Sequence, residues 1–156
     1  MKKLVLKILK SGIKSTAIFH DIYLNNGNGK YSQIDLVVAT KVGIVVFEIK
    51  EYSGWIFGSE NQINWTQLLA YGKQKYKFYN PILQNKKHIE DLKKYYHFDG
   101  IPIFSVIVFF GDCEFKNLIE LPSRTFLTKS NDVMNRFNEI LENNQPAKYK
   151  DKWELA

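Results

Sequence analysis

Apolar residues fall on two periods along this chain, and each change of period marks an element. Val5, Ile8, Leu9 and Ile13 are helically spaced, so residues 2–14 are expected to form an amphipathic helix. A strand is expected over 15–24, ended by the turn cluster "NNGNGK". Two more follow at 32–40 and 43–50, joined by a tight turn at Lys41–Gly43, and a short hairpin pairs 54–58 with 62–67. Residues 70–79 keep no clean period and read as a loop or short helix. From 80 to 98 the spacing is helical again, with Asn80 as N-cap, Pro81 in the first turn, and a stripe of Ile82, Ile89, Leu92 and Tyr96. The nearly unbroken apolar run 101–111 is the mark of a strand buried on both faces. A short strand near 124–128 precedes a last helix, capped by Ser130, that turns Val133, Phe137, Ile140 and Leu141 inward. The polar stretch after Asn143 is expected to be loose. The order α-β-β-β-hairpin-α-β-β-α gives one α/β domain over 1–143, a mixed sheet flanked by helices, with 144–156 as a tail.

The apolar strands carry charges that a plain core would not. Charged side chains are almost never fully buried unless paired or bound to a metal. On 43–50, Ile44, Val46, Glu48 and Lys50 share one face, while Val45, Phe47 and Ile49 share the other. On 32–40, Asp35 lies on a face with Gln33 and Val37. Pairing about the Lys41–Gly43 turn brings Asp35 level with Glu48 and Lys50. Two carboxylates about 4 Å apart repel by roughly 4 kcal/mol at an effective dielectric of 20. A Mg²⁺ or Mn²⁺ ion held by Asp35, Glu48 and the Ile49 carbonyl resolves that repulsion. Such an ion activates water and neutralises charge on a phosphorus-centred transition state, and Lys50 is placed to position or deprotonate the attacking water. The competing reading is an edge-strand salt bridge from Lys50 to Glu48 or Asp35.

Composition narrows the partners. The formal net charge is +6, with only Arg124 and Arg136 as arginines, and aromatics number eleven Phe, nine Tyr and three Trp. A Lys-rich surface suits a polyanion such as nucleic acid without setting specificity. The single Cys113 excludes an internal disulfide and fits a reducing compartment such as the cytoplasm. No segment reaches the ~18 apolar residues of a membrane span.

The segments "QID", "GIVVFEIKEYSGWIFG", the following Trp65 and "NPILQNKKHIEDL" together resemble the nuclease-related domain family of the PD-(D/E)XK restriction-endonuclease-like superfamily. The signature is Asp35, then twelve intervening residues, then Glu48-Ile49-Lys50, and the similarity runs from about 16 to 143. The resemblance implies a restriction-endonuclease-like fold and a bacterial, Mg²⁺-dependent nuclease or DNA-processing accessory domain. By the same resemblance Asp35 and Glu48 are metal ligands and Lys50 the catalytic lysine. Gln33 becomes a substrate-contacting or supporting position, and Gln84 lies near the site. The family's first helix usually adds a glutamate; here residues 1–20 contain no acid, and Asp21 is the first.

Lys73, Lys75 and Lys77 interleave with Tyr71, Tyr76, Phe78 and Tyr79, the pattern of a surface that stacks bases and meets phosphates. Its alternative is a solvated basic rim beside aromatics that cover the sheet. Lys86 and Lys87, with Lys93 and Lys94, extend the charge along the helix. His88 shares the face of Gln84, where a packing role is the simpler expectation. The readings to separate are thus a metal-dependent DNA nuclease, a nucleic-acid-binding or assembly module that keeps the fold with weak or no catalysis, and a structural protein with a salt-bridged triplet.

Overall fold

The computed structural model describes residues 1–25, 27, 29–117 and 120–149. It contains three α-helices, α1 (Lys2–Lys10), α2 (Pro81–Tyr95) and α3 (Val133–Asn143). Nine strands accompany them among the described residues: β1 (Ile18–Asn25), β2 (Tyr31–Thr40), β3 (Gly43–Lys50), β4 (Gly54–Phe57), β5 (Asn64–Leu69), β6 (Gln74–Tyr79), β7 (Ile103–Phe109), β8 (Cys113–Phe115) and β9 (Thr125–Lys129). They form a five-stranded sheet in the order β1-β2-β3-β7-β9 and a four-stranded sheet in the order β6-β5-β4-β8. Both sheets are mixed: β3, β7 and β9 run parallel, as do β4 and β8, and the other pairs are antiparallel. This is the mixed α/β, restriction-endonuclease-like architecture expected from the sequence.

Face alternation sorts the core. Leu36, Val38, Val45 and Phe47 meet α1 and α3 through Leu4, Ile8, Phe137 and Ile140. Burying Leu4 and Ile8 alone holds α1 by roughly 3–6 kcal/mol before ordering costs. Val37, Ala39, Ile44 and Val46 face the other way and pack under Leu92 of α2. The interior strand β7, between β3 and β9, is buried at every position, as its unbroken apolar run requires. The small sheet closes one end through Ile56, Trp65 and Phe78, which meet Ile82, Ile107 and Phe109.

Local signals explain most boundaries. Thr40 pairs with Gly43 about the expected tight turn. Asn80 is wholly buried, accepts the Ile82 N–H at 2.8 Å, and donates to the carbonyls of Ser59, Glu60 and Gln62 at 3.2, 3.0 and 2.8 Å. It therefore both caps α2 and pins the β4–β5 connection. Gly54 starts β4 at φ +82°, and a Cβ there would lie 2.3 Å from the Leu68 carbonyl oxygen. Only glycine lets the chain step so closely from one sheet to the other.

The differences from expectation have physical causes. Residues 74–79 form the edge strand β6 rather than a loop or helix; only Phe78 is buried, so lysines and exposed tyrosines mask the two-residue alternation. The three-residue β8 is too short to show a pattern. α1 stops at Lys10 because Gly12 is left-handed at φ +105°, and residues 15–17 make a 3₁₀ turn before β1. α2 ends at Tyr95, and α3 takes Asp132 rather than Ser130 as its N-cap. The start of the tail is not loose: Ala147 N–H donates to Lys41 O at 2.7 Å, and the Tyr149 hydroxyl donates to Thr40 O at 2.6 Å. Cys113 is a buried free thiol, and no described helix is long and apolar enough to cross a membrane.

Candidate active site

The charges left over by face alternation gather where β2 and β3 part. The β2–β3 ladder runs from Thr40↔Gly43 to Leu36↔Phe47, whereas β3 stays paired with β7 as far as Lys50↔Phe109. Continuing the register by one step sets Asp35 opposite Glu48. Beyond the ladder's end β3 has lost its β2 partner, and the Ile49 N–H donates instead to Asp35 Oδ2 at 3.0 Å. In a strand the N–H and C=O of one residue leave on the same edge, so the Ile49 carbonyl also projects toward Asp35.

Glu48 is 3% exposed, a buried carboxylate among apolar strands. Lys50 Nζ lies 3.2 Å from its Oε1, and His88 Nδ1 lies 3.2 Å from its Oε2. The second approach is close in distance but lacks hydrogen-bond alignment, so Glu48 Oε2 and His88 Nδ1 are both buried without a hydrogen-bond partner. Burial pushes the Asp35 carboxyl above its ordinary value of 3.8, and the Glu48 charge adds to that rise. The Ile49 N–H, Lys50 and His88 pull the other way without cancelling it. Desolvation and like charge both disfavour the ionised form, and a cation between the two carboxylates would relieve both.

An open cleft of about 810 Å³ exposes this cluster. Asp35, Glu48 and Lys50 line it together with Gln33, Gln84 and Lys87. Six of the residues singled out from the sequence thus meet in one place. Lys30, Tyr31, Ser32, Tyr52, Phe78, Tyr79 and His88 complete the wall. Lys86 points elsewhere, into a smaller groove on the far side of α2 with Lys93 and Arg124. Lys75 and Lys77 are exposed on β6, and Lys73 precedes them; none of the three lines the cleft.

The closest approach that sequence reasoning undervalued is His88. Its signal was present, since Gln84 and His88 are four apart on α2 and so share a face. The sequence does not show that this face closes over Glu48. α1 packs on the opposite face of the sheet through Leu4 and Ile8, so the helix that lacks an acid is also the helix turned away from Glu48. Among the described residues, no group of three or more His, Cys, Asp or Glu side chains is arranged to hold a metal. What the cleft offers is two carboxylates and a backbone carbonyl, a sparse oxygen set of the kind Mg²⁺ accepts while keeping several waters. The orphaned Glu48 Oε2 fits such a ligand.

A family model described as "nuclease-related domain" matches residues 2–110. An uncharacterized protein of Bacillus anthracis is 35% identical over 118 residues, covering 75% of this chain and 54% of its own length. The chain therefore spans about half the length of that curated relative. No solved structure matches the chain.

Proposed function

Because the chain belongs to the nuclease-related domain family, we propose that it is a metal-dependent nuclease that hydrolyses phosphodiester bonds, with DNA as substrate and the cytoplasm as its compartment. The observation that carries this reading is a buried carboxylate oxygen, Glu48 Oε2, with no hydrogen-bond donor, set in an open cleft across from Asp35. Asp35, Glu48 and the Ile49 carbonyl would hold Mg²⁺ or Mn²⁺. The ion would supply Lewis-acid polarisation of the phosphate and a bound water of lowered pKa. Lys50 restrains the Glu48 carboxylate through Oε1 and orients the attacking water. Glu48 and Asp35, once neutralised, no longer repel the incoming phosphate. Gln33 and Gln84 offer amides to the scissile region, and Lys87 at the rim meets the backbone.

A second reading, a nucleic-acid-binding module without hydrolysis, is favoured by one observation. Among the described residues, the cleft is lined by two carboxylates, Asp35 and Glu48, and by no third. Incubating the purified chain with linear, nicked, supercoiled and single-stranded DNA, with Mg²⁺, Mn²⁺ or EDTA, separates the two. The nuclease reading expects metal-dependent cleavage that Asp35→Asn and Lys50→Ala abolish. Absence of cleavage on every form, with salt-sensitive binding that Asp35→Asn leaves unchanged, establishes the second reading instead.

A further inference from the structure

The small sheet has a second, outward face that meets the cleft only at Tyr79. On β6, Phe78 points into the core, stacked on Tyr52 at 4.3 Å, so Lys75, Lys77 and Tyr79 point out. Register carries that face across the sheet: Lys75 pairs with Leu68, Leu68 with Trp55, and Trp55 with Glu114. Lys77 pairs with Thr66, and Thr66 with Phe57. Inward-facing Trp65 and Ile56 are fully buried, while Trp55 and Phe57 on the outer face keep partial exposure.

Two details set this face apart from an ordinary solvated one. Lys116 Nζ sits 4.9 Å from the Trp55 ring centroid while pairing with Glu114 at 2.8 Å, so the indole already holds a cation over its ring. Tyr71 is 92% exposed and lies edge-on to Trp55, ring centroids 6.5 Å apart. Its backbone is left-handed at φ +57°, as is that of Ala70 at φ +51°. Non-glycine residues held in that region are strained, and here the strain presents an aromatic ring to solvent beside a second ring. Among the described strand residues that the register places on this face, Glu114 is the only acid, and it is paired with Lys116.

We propose that this face is a binding platform for single-stranded nucleic acid, with bases stacking on Tyr71 and, in place of the Lys116 ammonium, on Trp55, and phosphates meeting Lys75 and Lys77. The two lysines are two residues apart on one strand face, about 7 Å, which suits neighbouring phosphates of an extended strand. Trp55 lies two strands over, about 10 Å away, within reach of the bases attached to them. Unstacked bases offer their faces to aromatic side chains, whereas a duplex hides them. Tyr79 belongs both to this face and to the wall of the cleft, so a strand held here runs on toward Asp35 and Glu48. The proposal deepens the nuclease reading by naming the substrate form, a single strand or a frayed end, and it does not depend on the metal site.

Fluorescence anisotropy of labelled dT20 on the full chain in EDTA tests it without cleavage. Lys75→Gln/Lys77→Gln is expected to lower the slope of log affinity against log salt by about 1.4, two phosphate contacts at about 0.7 each on single strands. Tyr71→Ala is expected to weaken binding by about fivefold or more, the lower end for one stacked base. Bound dT20 is expected to quench tryptophan fluorescence, and Trp55→Phe to remove most of that quench. The proposal is overturned if the double lysine variant and Tyr71→Ala, each melting like wild type, bind dT20 as wild type does with an unchanged slope. Equal competition by a polyglutamate of matched charge also overturns it, because the face would then accept any polyanion, proteins included. A wild-type chain that binds dT20 through this face yet cleaves no form of DNA with Mg²⁺ or Mn²⁺ rejects the nuclease reading and leaves the platform standing.

Discussion

Replacing Asp35 by Asn makes the metal-free protein more stable and takes away its response to metal. Asp35 is partly buried, and burial and the neighbouring Glu48 charge together raise its pKa above 3.8. The folded state therefore binds this proton more tightly than the unfolded chain does. The contribution of Asp35 to stability is greatest below pH 3.8 and falls as pH rises through the raised folded value. Asp35 and Glu48 face each other one register step past the last β2–β3 pair; at about 5 Å, the usual spacing of facing side chains, two carboxylates repel by roughly 3 kcal/mol at an effective dielectric of 20. Lys50, His88 and the Ile49 N–H offset part of that. Asparagine keeps an acceptor for the Ile49 N–H and removes the charge, for a net gain of about 1–2 kcal/mol. For a chain of this size that is a rise in Tm of about 2–8 °C at pH 7.5, shrinking toward zero near pH 4. Wild type with Mn²⁺ at one hundred times its Kd gains about 2.7 kcal/mol, a larger rise, and Asp35→Asn should show almost none. Differential scanning fluorimetry with and without Mn²⁺, at pH 4, 6 and 7.5, reads all of this. An Asp35→Asn variant that melts lower than wild type without metal, or that keeps the full Mn²⁺ shift, refutes the electrostatic account.

His88→Ala removes the imidazole that closes on Glu48 Oε2 and should lower metal affinity or cleavage by about 10–100-fold, the usual cost of losing a group that orients a ligand. A calorimetric Mn²⁺ titration beside the cleavage assay checks it, and unchanged values in both would show that His88 only packs. Asn80→Ala removes the α2 cap and the donors to three loop carbonyls. It should destabilise the fold by about 3 kcal/mol, combining a cap with an unsatisfied buried group, as read from urea unfolding.

What the sequence made legible follows from which signals are local. Alternation on β3 and the apolar run of β7 identify buried strands because one residue in two, or every residue, must avoid water. Asn80-Pro81 marks the start of α2 because the cap and the fixed φ act within one turn. That Asp35 comes level with Glu48, one step past the last β2–β3 pair, was legible because a tight turn fixes register by counting. β6 was not, because an edge strand buries one side chain, Phe78, and exposes the rest. The role of His88 was not legible either, since it depends on how α2 is rotated against β3. That rotation is set by Leu92 and Ile82 and by Asn85, whose amide donates to Val46 O at 3.0 Å and Ser105 Oγ at 2.8 Å. These contacts are 20 and 39 residues apart in sequence, beyond any local pattern.

Asp35 therefore has two tasks that a single substitution can confuse. β3 outruns β2 by one strand end, and the Ile49 N–H exposed by that mismatch needs an acceptor, which the Asp35 side chain supplies. Asp35→Ala removes the charge and the acceptor together, while Asp35→Asn removes only the charge. Leaving a partly buried N–H without a partner costs about 1–3 kcal/mol, so Asp35→Ala should melt about 2–12 °C below Asp35→Asn. Both variants should lose cleavage to the same extent if the carboxylate acts by holding a metal. If Asp35→Asn cleaves like wild type and only Asp35→Ala is inactive, the aspartate serves the strand end and the metal site lies elsewhere. The same side chain that ends the ladder would then have no part in the chemistry, and Glu48, with its orphaned oxygen, would remain, among the described residues, the single buried carboxylate in need of a ligand.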